Sequence, residues 1–256
     1  MRELIFGRTG HPSLKELEKY IYAHRGFHDK PQIPENSMPA FQRAVERGWG
    51  AELDVHLIRD GSLVVFHDSD LKRCTGEEGI LEEMTLPEVK RLCLEGTEEK
   101  IPTFDEVLGL FEYSCPLIIE LKTYKGNHRK LVEAALKRLS AYKGLFCIES
   151  FDPRAIADIR KLAPGIVRGQ LACDFRNEPG AAWWQKPLLT NLIPNIFGKP
   201  DFNAYKFTDR NNRALRKQTE KGITEVAWTI RSREDLKFCI RNGIIPIFER
   251  FDPESE

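Results

Sequence analysis

The chain has 256 residues, 30% of them charged, and its 39 basic and 39 acidic residues cancel. A zero formal charge argues against a nucleic-acid binder, which needs a basic field. The ordinary apolar content, without low-complexity runs, argues for a folded soluble chain. Six scattered cysteines with no CxxC pair read as reduced thiols, not a disulfide frame or a zinc site. Met1 to Gly7 has no secretory core, and no apolar run nears the roughly 18 residues of a membrane span. A cytoplasmic protein with no stable membrane insertion and no nucleic-acid partner is therefore expected.

Residues 1–20 read as an N-terminal extension with a short helix, and 21–256 as one domain. Ile21-Tyr22-Ala23 is a short strand ending at His24-Arg25-Gly26. A Pro- and Asn-rich loop leads to a helix over Met38 to Glu46, stopped by Gly48. Ala51 to Leu57 and Leu63 to Phe66 are strands around the Asp60-Gly61 turn signal. Thr85-Leu86-Pro87-Glu88 and Thr103-Phe104-Asp105-Glu106 have capping-box spacing. Pro116 to Leu121 is a strand, and Arg129 to Tyr142 a helix. Strands at Phe146–Phe151, Val167–Leu171, Phe202–Phe207, Glu225–Ile230 and Ile244–Phe248 alternate with helices at Arg154–Lys161, Asn211–Glu220 and Ser232–Arg241. Ala181 to Phe197 is less regular and more apolar.

Repeated strand-helix units mean parallel strands with helices outside. No GxGxxG or P-loop follows any strand, which removes the usual reason for an open sheet. Polar residues stand instead at or near many strand ends: His24, Asp54, His67, Lys122, Ser150 and Thr229. Function gathered from many strand ends is the (β/α)₈ TIM-barrel pattern. Nine extended segments compete for eight barrel places. A hairpin about Asp60-Gly61 would explain the extra one and set Asp54 opposite His67.

In Ala51-Glu52-Leu53-Asp54-Val55, side chains alternate, so Glu52 and Asp54 share a face of an apolar strand. Burying both is costly without a cation. Glu120, ending the run Leu117-Ile118-Ile119, is a third carboxylate with Lys122 on the same face. Three carboxylates suit Mg²⁺ or Ca²⁺ better than zinc. His24 and His67 are the acid/base candidates. His28, His11 and His128 have weaker claims, and His56 shares the face of Glu52 and Asp54. Arg25 and Lys122 offer positive charge to an anion such as phosphate. Glu35 and Asn36 lie in the loop before the first helix, where a turn and cap compete with a place over the site. Trp228 could wall a pocket. No nucleophilic triad is readable. A metal, two imidazoles and basic side chains point to phosphodiester cleavage.

His24-Arg25-Gly26, Pro34-Glu35-Asn36-Ser37, Glu52-Leu53-Asp54-Val55, Asp60-Gly61, Val64-Val65-Phe66-His67-Asp68, Glu120-Leu121-Lys122, Ser150-Phe151-Asp152 and Trp228-Thr229 occur in that order. Together they resemble a bacterial-type glycerophosphodiester phosphodiesterase from about Ile21 to Glu249. The resemblance implies an α/β fold, a single TIM barrel of the PLC-like phosphodiesterase type. It implies hydrolysis of glycerophosphodiesters to glycerol 3-phosphate and an alcohol. His24 and His67 would be the acid/base pair, and Glu52, Asp54 and Glu120 would bind one divalent cation. Arg25, Lys122, Glu35 and Trp228 would contact the substrate. The family often has Thr where Ser37 stands, and the last strand here ends Ile247-Phe248-Glu249 instead of in a Thr-Asp-like pair.

Two alternatives compete. Trp183, Trp184 and the apolar stretch to Phe197 could hold an acyl chain, making the substrate a lysophospholipid. A barrel that binds a phosphodiester without cleaving it is the other. The sequence does not name the alcohol, the ion, the oligomeric state, or which histidine is the acid.

Overall fold

The strands Gly50–Leu57 and Leu117–Leu121 are buried on both faces, at their acidic as well as their apolar positions, as parallel strands under helices are. The structure, a computed structural model, describes residues 1–178 and 181–255. Its strands are β1 (Arg2–Glu3), β2 (Arg8–Thr9), β3 (Tyr22–Ala23), β4 (Gly50–Leu57), β5 (Leu63–Val65), β6 (Leu117–Leu121), β7 (Phe146–Ser150), β8 (Arg168–Ala172), β9 (Phe202–Lys206), β10 (Thr224–Ile230) and β11 (Ile245–Phe248). The chain divides into two compact units, residues 22–146 and residues 1–21 with 147–256.

In the 22–146 unit, β3, β4 and β6 run parallel, with Ala23 level with Ala51 and Asp54 level with Glu120. β5 pairs antiparallel to β4 and is the extra ninth segment. Gly61 turns the hairpin at φ +86°, a conformation glycine adopts without strain. The pairing Leu57↔Leu63 leaves residues 58–62 in the loop. That register sets Asp54 level with Phe66, whose N–H donates to the Asp54 carbonyl at 3.0 Å. His67 therefore lies one residue beyond the level of Asp54, not opposite it. Facing His67 would have needed a loop one residue longer.

The helix Met38–Glu46 begins at Ser37, whose hydroxyl accepts from Ala40 N–H at 3.3 Å. It buries Ala40, Phe41 and Ala44, and the Phe41 ring meets Phe111 edge-on at 6.1 Å. Phe111 belongs to the helix Phe104–Phe111, which opens on the Thr103–Glu106 capping box. These contacts fix the loop before Met38 against β4. Leu53, Val55, Ile119 and Leu121 are at most 1% exposed, so Leu53→Ala is expected to cost about 2–5 kcal/mol.

In the second unit, β7, β8, β9, β10 and β11 are parallel neighbours in that order. β1 and β2 form a short antiparallel pair. The helix Pro12–Leu17 is capped by the His11 ring, which accepts from Ser13 N–H. The stretch left irregular by its sequence holds two short helices, Lys186–Thr190 and Asn195–Gly198. The second packs on the helix Pro153–Leu162. Three parallel strands in one unit and five in the other make the eight of a (β/α)₈ fold.

Candidate active site

The loop after β3 is shaped by backbone conformations that most residues avoid. Arg25 and Asn36 sit in the left-handed region at φ 55° and 54°. Gly26, at φ +78°, presses so close to the next helix that a Cβ would come within 2.8 Å of the Ala40 backbone. This strain is compensated locally. Arg25 N–H donates to Glu52 Oε2 at 3.0 Å, and Asn36 N–H donates to the Arg25 carbonyl at 2.9 Å. Asn36 Nδ2 donates to Asp54 Oδ2 at 2.8 Å. Non-glycine residues held this way cluster at functional sites. The helix cap is Ser37, while Asn36 faces the Asp54 carboxylate and Glu35 pairs with Arg25.

Glu52, Asp54 and Glu120 each offer a carboxylate oxygen, all within 4.8 Å of one another, and all three are buried. The parallel register of β4 and β6 produces this grouping, because Asp54 and Glu120 are level and Glu52 is two residues back on the same face. Lys122 Nζ lies 2.9 Å from Glu120 and 3.3 Å from Asp54, and Arg25 Nε lies 3.4 Å from Asp54.

Burial disfavours the Asp54 carboxylate, but Lys122, His67 and Arg25 outweigh it and hold Asp54 well below the usual range. Glu120 is shifted the other way, first by burial and then by the Asp54 charge, despite Lys122. One acid in the group is crowded by its neighbours. A divalent cation among the three would relieve that crowding, and the donors are the hard oxygens that Mg²⁺ or Ca²⁺ take. The residues fit such an ion.

His24 Nε2 lies 3.9 Å from Glu52 Oε2, with 14% of its side chain exposed. His67, just past β5, has a 28% exposed side chain, and its Nδ1 is 2.5 Å from Asp68 Oδ1. Arg73 connects the same carboxylate to Glu35, reaching Glu35 Oε1 at 2.6 Å, and Arg25 Nη1 donates to that oxygen at 2.8 Å. Lys30 also pairs with Glu35. A chain of charge-assisted hydrogen bonds thus runs from His67 through Asp68, Arg73 and Glu35 to Arg25. Asp68 and Arg73 were not singled out as site residues from sequence. Asp68 was visible as the neighbour of His67, whereas no local pattern marks Arg73.

Glu35, Cys74 and Glu95 form a second group of close donor atoms. Lys30 already bridges Glu35 and Glu95. Burial pushes the Cys74 thiol up to about 12. The weaker histidines divide as follows. His11 Nε2 sits 2.9 Å from the Gly165 carbonyl and His11 is a helix cap, while His128 opens the helix His128–Leu139. His56 is 1% exposed, with Nδ1 2.7 Å from Glu82 Oε1 and Nε2 3.2 Å from the His67 carbonyl.

Trp228 lies in the second unit. Its indole Nε1 donates to the Ala204 carbonyl at 3.1 Å, and its ring meets Phe151 edge-on at 5.6 Å. With Phe151, Phe175, Arg154 and Lys206 it lines a cavity of about 830 Å³.

Residues 24–249 match the model of the glycerophosphoryl diester phosphodiesterase family. The chain is 31% identical to a glycerophosphodiester phosphodiesterase of Caldanaerobacter subterraneus subsp. tengcongensis, over 93% of this chain and 96% of the relative. It is 34% identical to one from Bacillus altitudinis, over 90% and 94%. The solved Oleispira antarctica phosphodiesterase, in complex with the product sn-glycerol-3-phosphate, superposes at TM-score 0.75 and 24% identity over 94% of this chain and 95% of that one. That likeness shows the (β/α)₈ barrel fold. A family match over most of the chain settles membership: this protein is a phosphodiesterase enzyme of the glycerophosphoryl diester phosphodiesterase family.

Proposed function

We propose that this chain hydrolyses glycerophosphodiesters to glycerol 3-phosphate and an alcohol, with a divalent cation and two histidines. The observation that carries the reading is the buried Glu52, Asp54 and Glu120 group with His24 3.9 Å from Glu52. Those carboxylates would hold Mg²⁺ or Ca²⁺, which supplies charge neutralisation to the phosphate and acidifies a bound hydroxyl.

The side chains do the rest. Arg25 and Lys122, kept charged by the carboxylates around them, hold phosphate oxygens. The Asp68 carboxylate accepts from His67 Nδ1–H, which leaves Nε2 as the lone pair that takes the nucleophile's proton. His24 is then the donor to the departing alkoxide. Glu35 fixes Arg25 and Arg73, and Trp228 walls the space for the alcohol.

The substrate is a small molecule, and the catalytic domain is residues 21–256. Six free cysteines support a cytoplasmic, reducing setting. Among the described residues, no helix is long and apolar enough to cross a membrane. A second reading, a lysophospholipase-D-type enzyme, draws on Trp183 (84% exposed), Trp184, Leu188 and Phe197, whose exposed apolar surface suits an acyl chain. One assay separates the readings: glycerophosphocholine against lysophosphatidylcholine, each with EDTA, Mg²⁺ or Ca²⁺. We expect cation-dependent turnover of the first. Preferred turnover of the second favours the lysolipid reading, and tight binding without turnover of either defeats both.

A further inference from the structure

We infer that the buried pair His56–Glu82 is a positioning device for the proton-transfer histidine, gripping the loop that carries His67 from behind. The inference rests on the reading that His67 moves a proton.

His56 is two residues beyond Asp54 on β4, and it and Glu82 are both buried. Glu82 Oε1 lies 2.7 Å from His56 Nδ1 and also accepts from Ser69 Oγ at 2.8 Å. His56 Nε2 lies 3.2 Å from the His67 carbonyl. The carboxylate and the carbonyl are both acceptors, so the ring serves both only by donating from both nitrogens. Leu81 N–H, next to Glu82, donates to the Ser69 carbonyl at 2.8 Å. The loop at residues 67–69 is thus held at the carbonyl of its first residue and at the hydroxyl and carbonyl of its last.

His67 needs such a hold. Its side chain is 28% exposed and β5 stops at Val65, so neither close packing nor sheet pairing fixes it. A pair present only for packing would be replaceable by apolar side chains, since taking two ionisable groups out of water rarely stabilises a fold. Here the donor left over after the Glu82 contact goes to the His67 carbonyl. Displacing a catalytic group by about 1 Å costs on the order of 100-fold in rate.

The test uses the full chain, Mg²⁺ and glycerophosphocholine, measuring kcat and KM beside urea unfolding. In His56→Asn the amide nitrogen takes the place of Nδ1, keeping Glu82 and losing the His67 carbonyl. In His56→Gln it takes the place of Nε2, keeping the carbonyl. We expect His56→Asn to lower kcat about 10- to 100-fold with KM within about threefold, and His56→Gln to stay within about fivefold of the parent. Losses of kcat that follow urea stability, whichever partner is kept, would overturn the inference. So would both variants retaining kcat within about twofold while His67→Ala is inactive. Near-parent turnover by His67→Ala would overturn the acid/base reading and this inference with it.

Discussion

Two buried charge clusters in this chain look alike in composition and differ in what they can do. At the start of β8, Arg8 and Arg168 surround Asp201: Arg8 Nε is 2.6 Å from Asp201 Oδ1 and Arg168 N–H donates to Oδ2 at 2.9 Å. Arg168 also donates to the Gly198 and Lys199 carbonyls, and burial followed by the Arg8 charge brings its guanidinium down to about 10. That cluster closes on backbone carbonyls and lies at N-terminal strand ends, where a barrel keeps its stabilising groups. At the other cluster, three carboxylates outnumber the two cations nearest them, Lys122 and Arg25, and the acids crowd one another. Surplus acceptors in a buried site call for a ligand. A cluster in which two guanidiniums surround one carboxylate and turn their other donors to backbone carbonyls does not.

Substitutions should separate the two clusters. His24→Ala and His67→Ala are expected to reduce kcat at least 10²- to 10⁴-fold with unchanged circular dichroism; near-parent kcat in both would remove the acid/base assignment. EDTA should abolish turnover reversibly, with Mg²⁺ or Ca²⁺ restoring it, while leaving the Arg8–Asp201–Arg168 cluster untouched. Activity that survives exhaustive chelation would make the carboxylate group a purely electrostatic one. Asp201→Asn is expected to lose about 3–5 kcal/mol of stability in urea unfolding, with kcat of the folded enzyme changed only a few-fold. A large kcat loss there would erase the contrast.

Glu35 gives a pH test. Burial opposes its ionisation, but the Arg73 hydrogen bond, the Arg25 charge and the Lys30 hydrogen bond outweigh it and hold the carboxyl well below its usual range. The folded-state value lies below the unfolded one, about 4.3. Its stabilisation is therefore full above about pH 5 and drains away as the pH falls through the folded value. Glu35→Gln should be about 3 kcal/mol less stable than the parent at pH 7, with the gap narrowing at pH 3. A gap that does not depend on pH would mean the charge is not what matters. The smallest effect expected is at Trp228. Trp228→Ala should raise KM about two- to fivefold for a quaternary-ammonium alcohol, the scale of an exposed cation–π contact, and less for glycerophosphoglycerol. Equal changes for both would show that Trp228 does not select the alcohol.

Local physics made most elements legible. Capping residues Thr103 and Ser232 bound their helices as read, and the limits of the nine strands read from sequence fell within a residue or so. The helix read from Arg129 to Tyr142 instead spans His128 to Leu139. The segment from Ala181 resisted because two helices of five and four residues carry too little periodicity to register. At the site, Glu52, Asp54 and Glu120 were legible as a group because strand alternation and parallel neighbours preserve faces. Arg73 and the His56–Glu82 pair were not, since their roles depend on partners up to 38 positions away.

Alone, the sequence determined the alternation of strands and helices, the polar strand ends and the face shared by Glu52 and Asp54. All of these follow from periods of two and 3.6 residues that act over short distances. Tertiary structure decided the β4–β5 register, which took His67 one step past Asp54. It also decided the left-handed turn at Arg25, the charge chain through Arg73 and Glu35, and the grip of His56 on the His67 loop. Those depend on loop length and on which distant side chains meet, and hydrogen bonds act only where the fold brings donor and acceptor within about 3 Å.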